Sequence, residues 1–163
     1  ESALRRMAEI HRALNETDAE RATLAKIASL DYEAADVNLR LMELSQEAKD
    51  WAGVALGAQR FLEINPLVAP PWRYLAEAAK ELKDVPTAIS ANRTLLQLDP
   101  ANPAEVHFQL AQLLQTTADP AARREALLAL EEAPRHRAAL KLLREIVGPP
   151  VVPAPSPAPA LTP

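Results

Sequence analysis

The chain contains no cysteine. That removes disulfides, thiolate chemistry and cysteine-rich zinc sites, and it leaves the compartment open, because a helical protein needs no disulfide in either redox environment. Three glycines in 163 residues are too few for a protein built of strands and tight turns. Phe, Trp, Tyr and Met together number only eight, so the interior must be made of Leu, Ala, Ile and Val, which suits close helix-on-helix packing. No stretch approaches the roughly 20 apolar residues that a membrane helix needs, and no membrane insertion is expected. The net charge of −4 offers no basic excess to hold a phosphate backbone, so nucleic acid is not an expected partner. His-Glu-x-x-His, Gly-x-Ser-x-Gly and a phosphate-cradling glycine loop are all missing. The three histidines, His11, His107 and His136, read as packing or surface residues, and no metal or cofactor is expected. The chain opens at Glu1 without Met. It therefore reads as an excerpt of a longer precursor, any targeting segment of which would lie outside this sequence, and localisation stays open.

What is present is a repeat. Leu62-Glu63-Ile64-Asn65-Pro66 recurs as Leu96-Gln97-Leu98-Asp99-Pro100, so that Pro66 and Pro100 mark the same point of successive units. The same step leads back to Leu30-Asp31-Tyr32 and forward to Pro134. Apolar residues within each unit follow helical spacing. The pattern predicts nine helices, over about 1–14, 18–30, 34–48, 51–64, 70–82, 85–98, 103–115, 120–132 and 135–147. Pro70-Pro71 open the fifth, since proline has no N–H to leave unpaired. Thr17 and Glu20 have the spacing of a capping box at the start of the second. Turns of two to six residues make successive helices antiparallel neighbours. Gly53-x-x-x-Gly57 reads as a close contact between two soluble helices, because Asp50 and Arg60 flank it. Trp51 and Trp72 read as core residues.

The composition changes at Gly148. From there to Pro163 the chain holds seven prolines and no charge. The segment 148–163 is expected to be an extended, semi-rigid linker, separate from a helical domain over 1–147. Its Pro150-Val151-Val152-Pro153 is a minimal PxxP, with no flanking Arg or Lys to orient it in an SH3-type groove.

The unit 69–102 resembles a tetratricopeptide repeat (TPR) of the bacterial type, through Trp72, Leu75, Ala76, Ala88 and Pro100 at the family's spacing. It departs at Ala79 and Asn92, where aromatics are usual, and at Leu95, where Ala is usual. Support comes from Leu41, Trp51, Val54, Phe61 and Pro66 in the second unit. The first unit contributes Leu4, Met7, Ala8, Ile27 and Leu30, with Glu20 in place of Ala. The fourth, starting one residue late at Ala104, contributes Leu110, Ala111, Leu114, Leu127 and Leu130. The resemblance implies an all-α, right-handed α-solenoid of antiparallel helix pairs, with about four repeats and a C-terminal capping helix. Arg144 stands where Ala8, Met42, Ala76 and Ala111 stand in the repeats. A charge there predicts that the stack ends at the ninth helix, as the polar outer face of a terminal unit requires.

The resemblance further implies a noncatalytic scaffold whose first helices line a concave groove for a peptide or partner helix. The positions facing it would be Arg5, Glu9 and Arg12; Asp36, Leu39, Glu43 and Gln46; Arg73, Glu77 and Lys80; and Glu105, Phe108, Gln112 and Gln115. Leu39 and Phe108 would be apolar anchors and Arg73 a charged one. The carboxylate clamp of chaperone-binding members is not expected, since Arg5 faces Glu9 and Arg40 stands where that clamp has Asn. Two other readings stay open. One is the helical region of a larger enzyme, such as a zinc peptidase with its catalytic domain upstream. The other is self-association into a homo-oligomer.

Overall fold

The computed structural model describes residues 2–31, 33–98 and 100–148; the expected proline-rich linker beyond Gly148 lies outside them. Nine helices and no strand occur among the described residues: α1 (Ser2–Ala13), α2 (Thr17–Leu30), α3 (Ala35–Glu47), α4 (Trp51–Ile64), α5 (Ala69–Glu81), α6 (Val85–Gln97), α7 (Pro103–Thr116), α8 (Ala121–Glu132) and α9 (Arg137–Val147). Each odd-numbered helix up to α7 pairs with the next, and each even-numbered one packs on the helix that follows it.

The core is a string of local clusters. Ala8, Leu24, Ile27, Ala28, Val37 and Leu44 join α1, α2 and α3. Met42, Ala58, Phe61, Leu75, Ala76 and Ala91 join α3 to α6. Ala111, Ala126 and Leu142 close the far end against α9. Alanines let the helix axes approach, and leucines fill the space between them, as in any stack whose units bury only their neighbours. Gly57 belongs to this packing. A Cβ there would lie 2.9 Å from Met42 Cγ, so the Gly53/Gly57 spacing marks close α3–α4 contact, as the flanking charges indicated. Arg144, on the last described helix, is exposed.

Three residues expected in the core are exposed: Met7, Leu30 and Leu127. Met7 has Leu75 and Leu110, both buried, as its counterparts, and those leucines sit under the second helix of the preceding pair. α1 is the first described helix and has no such cover. Leu30 ends its helix, and its counterpart Ile64 is also exposed, so this position lies on the rim. Trp51 and Trp72 are half-buried and not fully in the core. Trp72 packs at the edge of the second cluster and donates from Nε1 to the Pro66 carbonyl at 2.7 Å.

The turn inside each pair repeats as closely as the helices do. Asn15, Lys49, Lys83 and Ala118 all have φ between 55° and 61°. Each is followed by an acid whose N–H reaches back five residues: Glu16 to His11, Asp50 to Ser45, Asp84 to Ala79 and Asp119 to Leu114, at 2.8–2.9 Å. This is the Schellman closure of a helix, with the left-handed residue at the position glycine favours. Asp50 and Asp84 then cap the next helix by accepting from Gly53 N and Thr87 N. The Thr17/Glu20 capping box does not form. Glu16 is the N-cap of α2 without a side-chain bond, its carboxylate is held by His11 at 2.7 Å, and Glu20 turns inward to Arg40.

Ala118 is the plainest strained residue of the four, because it has a Cβ and no polar group that could bond locally. Ala118→Gly is expected to stabilise the fold by about 1 kcal/mol, the cost of a left-handed conformation in a residue with a Cβ, less some entropy that glycine gains in the unfolded chain. Chemical denaturation checks it.

Candidate binding groove

The first helices α1, α3, α5 and α7 share one face of the stack, and polar pairs tie them across repeats. Arg5 Nη1 donates to Asp36 Oδ2 at 2.7 Å, and this bond holds the Asp36 carboxyl below its ordinary pKa. Gln46 Nε2 donates to Glu77 Oε2 at 2.6 Å. Arg40 grips Glu20 with two bonds of 2.9 and 3.2 Å and Glu43 with a third of 3.1 Å. The hydrogen bonds to Glu20 are the main reason the Arg40 guanidinium is held more firmly protonated than usual. Tyr74 is pushed upward by burial first and then by the Glu43 charge.

Of the expected groove residues, Arg5 and Asp36 are thus brought together, as are Gln46 and Glu77. Glu9, Arg12, Lys80 and Gln112 are exposed and make no hydrogen bond or ion pair with described residues. Leu39 is half-buried against the second cluster. Phe108 is half-buried against the last cluster and lies 4.9 Å, centroid to centroid, from the His136 ring. Both anchors therefore belong partly to the core. Arg73 is exposed, with its guanidinium carbon 5.9 Å from the Tyr74 ring centre.

The histidines are each held by one carboxylate. His107 Nδ1 lies 2.7 Å from Glu125, linking α7 and α8. His136 Nδ1 accepts from Ala139 N and caps α9, while Nε2 lies 3.2 Å from Glu105. No cluster of three metal-ligating groups occurs among the described residues.

Two cavities open where first helices meet. One, of about 240 Å³, lies between α1 and α3 over α2, lined by Arg5, Ala8, Glu20, Leu24, Asp36 and Arg40 among others. The second, of about 380 Å³, lies between α5 and α7 over α6; Arg73, Ala76, Asn92, Leu95, Glu105 and Val106 are among its walls. The two are the same place in the repeat. Arg73, Ala76 and Leu95 stand two repeats beyond Arg5, Ala8 and Ile27. At the junction between them Met42 replaces the small alanine, and with Ala58 and Phe61 it is buried in the second cluster, leaving solid packing.

Sequence reading missed Glu20, Tyr74, Asn92 and His136 as determinants of this face. A signal existed for two of them. Glu20 stands in the column of the buried Val54 and Ala88, and Asn92 in that of Leu24 and Ala58. A polar residue in an apolar column needs either a partner or a purpose.

Antiparallel pairs that repeat at the step from Pro66 to Pro100, each around a local core, define an α-solenoid of the tetratricopeptide type. Solved structures share this fold. The crystal structure of MamA superposes with a TM-score of 0.70 over 86% of this chain and 92% of that one, at 14% identity. YrrB, described as a TPR protein with an unusual peptide-binding site, gives 0.71 over 85% of this chain and 72% of its own, at 17% identity. The Cut9–Hcn1 hetero-tetramer of APC/C gives 0.63 over 86% of this chain and 28% of the matched chain, at 21% identity. No protein-family profile matches the chain, and no curated protein matches it in sequence.

Proposed function

We propose that this chain is a noncatalytic protein-interaction scaffold that holds an extended peptide or a partner helix along the face formed by α1, α3, α5 and α7. The observation that carries the reading is the row of exposed polar side chains on that face, Glu9, Arg12, Arg73, Lys80 and Gln112, alternating with half-buried apolar ones and interrupted by a cavity. A surface of that kind gives an extended chain both charge complementarity and a place to bury an anchor. The peptide-binding description of YrrB, a protein of the same fold, supports it.

Peptides selected from a random phage-displayed library test the reading. Arg73→Glu with Lys80→Glu, both on exposed positions, is expected to weaken the selected peptides by at least about tenfold, equivalent to about 1.4 kcal/mol. Arg93→Glu with Arg123→Glu, on the second helices α6 and α8, is expected to leave them unchanged. Isothermal titration calorimetry reads both. Equal loss in the two pairs, or loss in the second alone, places binding elsewhere.

A further inference from the structure

Asn92 is 2% exposed. Its Nδ2 donates to the Ala88 carbonyl of its own helix at 2.8 Å, which fixes the orientation of the amide. Its Oδ1 is buried and has no hydrogen-bond partner among the described residues. A buried acceptor without a donor costs free energy that packing alone does not return. The residue lines the cavity between α5 and α7, whose other walls are mostly apolar: Ala69, Pro70, Ala76, Leu95 and Val106. At about 380 Å³ it lies at the lower end of the range for ligand clefts, about 300–1,000 Å³.

The equivalent cavity over α2 is chemically closed. There Arg5 is neutralised by Asp36, and Glu20 by Arg40. Over α6 the same positions are paired differently. Ala88 replaces Glu20, and Gln109 replaces Arg40. Glu105, in the place of Asp36, gives its carboxylate to Gln109 and His136. Arg73, in the place of Arg5, stands at the lip without an ion pair to any described residue.

We infer that this cavity is the anchor pocket of the groove, and that it takes an aromatic side chain with a donor on its ring, Trp or Tyr, from a peptide carrying a carboxylate beside it. The inference rests on the groove reading above. The apolar walls take the ring, Asn92 turns its buried amide toward the cavity so that Oδ1 accepts the indole N–H or phenol O–H, and Arg73 meets the carboxylate. An analogue without the ring donor leaves the buried acceptor unpaired and binds more weakly by about one hydrogen bond.

The test needs no known partner. N-acetyl-tryptophan, titrated into the ¹⁵N-labelled chain, is expected to give saturable shifts at Ala76, Leu95, Val106 and the Asn92 side-chain amide. N-acetyl-phenylalanine, with the same carboxylate and no ring donor, is expected to bind roughly tenfold more weakly, one hydrogen bond's worth. Arg73→Gln is expected to weaken N-acetyl-tryptophan about threefold, as for an exposed ion pair, and to leave the shift of the Asn92 amide at saturation unaffected. Asn92→Phe places a usual TPR aromatic in the cavity, and Ala76→Met copies the packed junction of Met42. Each variant that keeps the wild-type helical melt is expected to abolish the shifts. Equal binding of the Phe and Trp derivatives, no saturable shift at the cavity, or unchanged shifts in a folded filled variant overturns the inference. If the library yields groove-binding peptides while the tryptophan titration stays flat, the pocket fails and the groove stands. Saturation at the cavity with no peptide selected sustains the pocket and removes the groove.

Discussion

Replacing Arg40 with Ala is expected to lower stability by about 3 kcal/mol, the low end of the cost of stranding one member of a buried ion pair. The low end applies because Arg40 keeps about a quarter of its side chain in solvent, whereas Glu20 keeps only 5%. The cost is therefore asymmetric. Without Arg40, Glu20 is a charge in the column of Val54 and Ala88, with nothing to satisfy two oxygens. Without Glu20, Arg40 still reaches Glu43 at 3.1 Å and water, so Glu20→Val is expected to cost far less than Arg40→Ala. The double variant Glu20→Val/Arg40→Tyr rebuilds the second junction, where Val54 and Tyr74 hold the equivalent places, and is expected to recover most of the loss. Urea denaturation of the three proteins and the parent checks this. Equal losses in the two single variants would mean that Glu20 is solvated in the folded chain.

The second large effect is Leu75→Ala, expected to cost about 2–5 kcal/mol, the range for a buried leucine truncated in a close-packed core. Leu75 is buried in the cluster that joins α3, α4, α5 and α6, where Met42 and Phe61 already fill the available space. A rigid surround relaxes poorly into a new void, which favours the upper half of the range. The same truncation at Met7, its counterpart in α1, is expected to cost less than about 0.5 kcal/mol, because that residue is an exposed surface position. The difference between two residues at one repeat position, read by thermal or urea melts, checks the core assignment directly. A change below about 0.5 kcal/mol at Leu75, the scale of a surface substitution, would refute it.

Most of the architecture was legible because helical periodicity is a local property and the repeat step copies it along the chain. Each helix begins within two residues of where the apolar pattern places it, and Pro70-Pro71 lie in the first turn of α5 as expected. The errors fall where a residue's fate is decided by something distant. Thr17 and Glu20 have the spacing of a cap, but the Arg40 guanidinium, far along the chain on α3, wins the carboxylate. Met7 has the right period for a core residue, but no described helix covers it. The groove was legible as a set of positions and not as chemistry. Nothing in the local sequence says that Gln109 and His136 would bond the Glu105 carboxylate while Arg73 makes no ion pair with a described residue. The left-handed turns were readable in principle. Asn15, Lys49, Lys83 and Ala118 are spaced at the repeat, each followed by an acid, but three of the four are residues that seldom adopt that conformation.

The solid junction at Met42 and Phe61 sits between two hollow ones. In a stack where each unit is supported only by its neighbours, stiffness is set junction by junction. The junction filled by Met42 and Phe61 therefore resists displacement more than the two that hold cavities. A guest in the α5–α7 seam would add packing contacts with α5, α6 and α7, so that occupancy ties those three helices together.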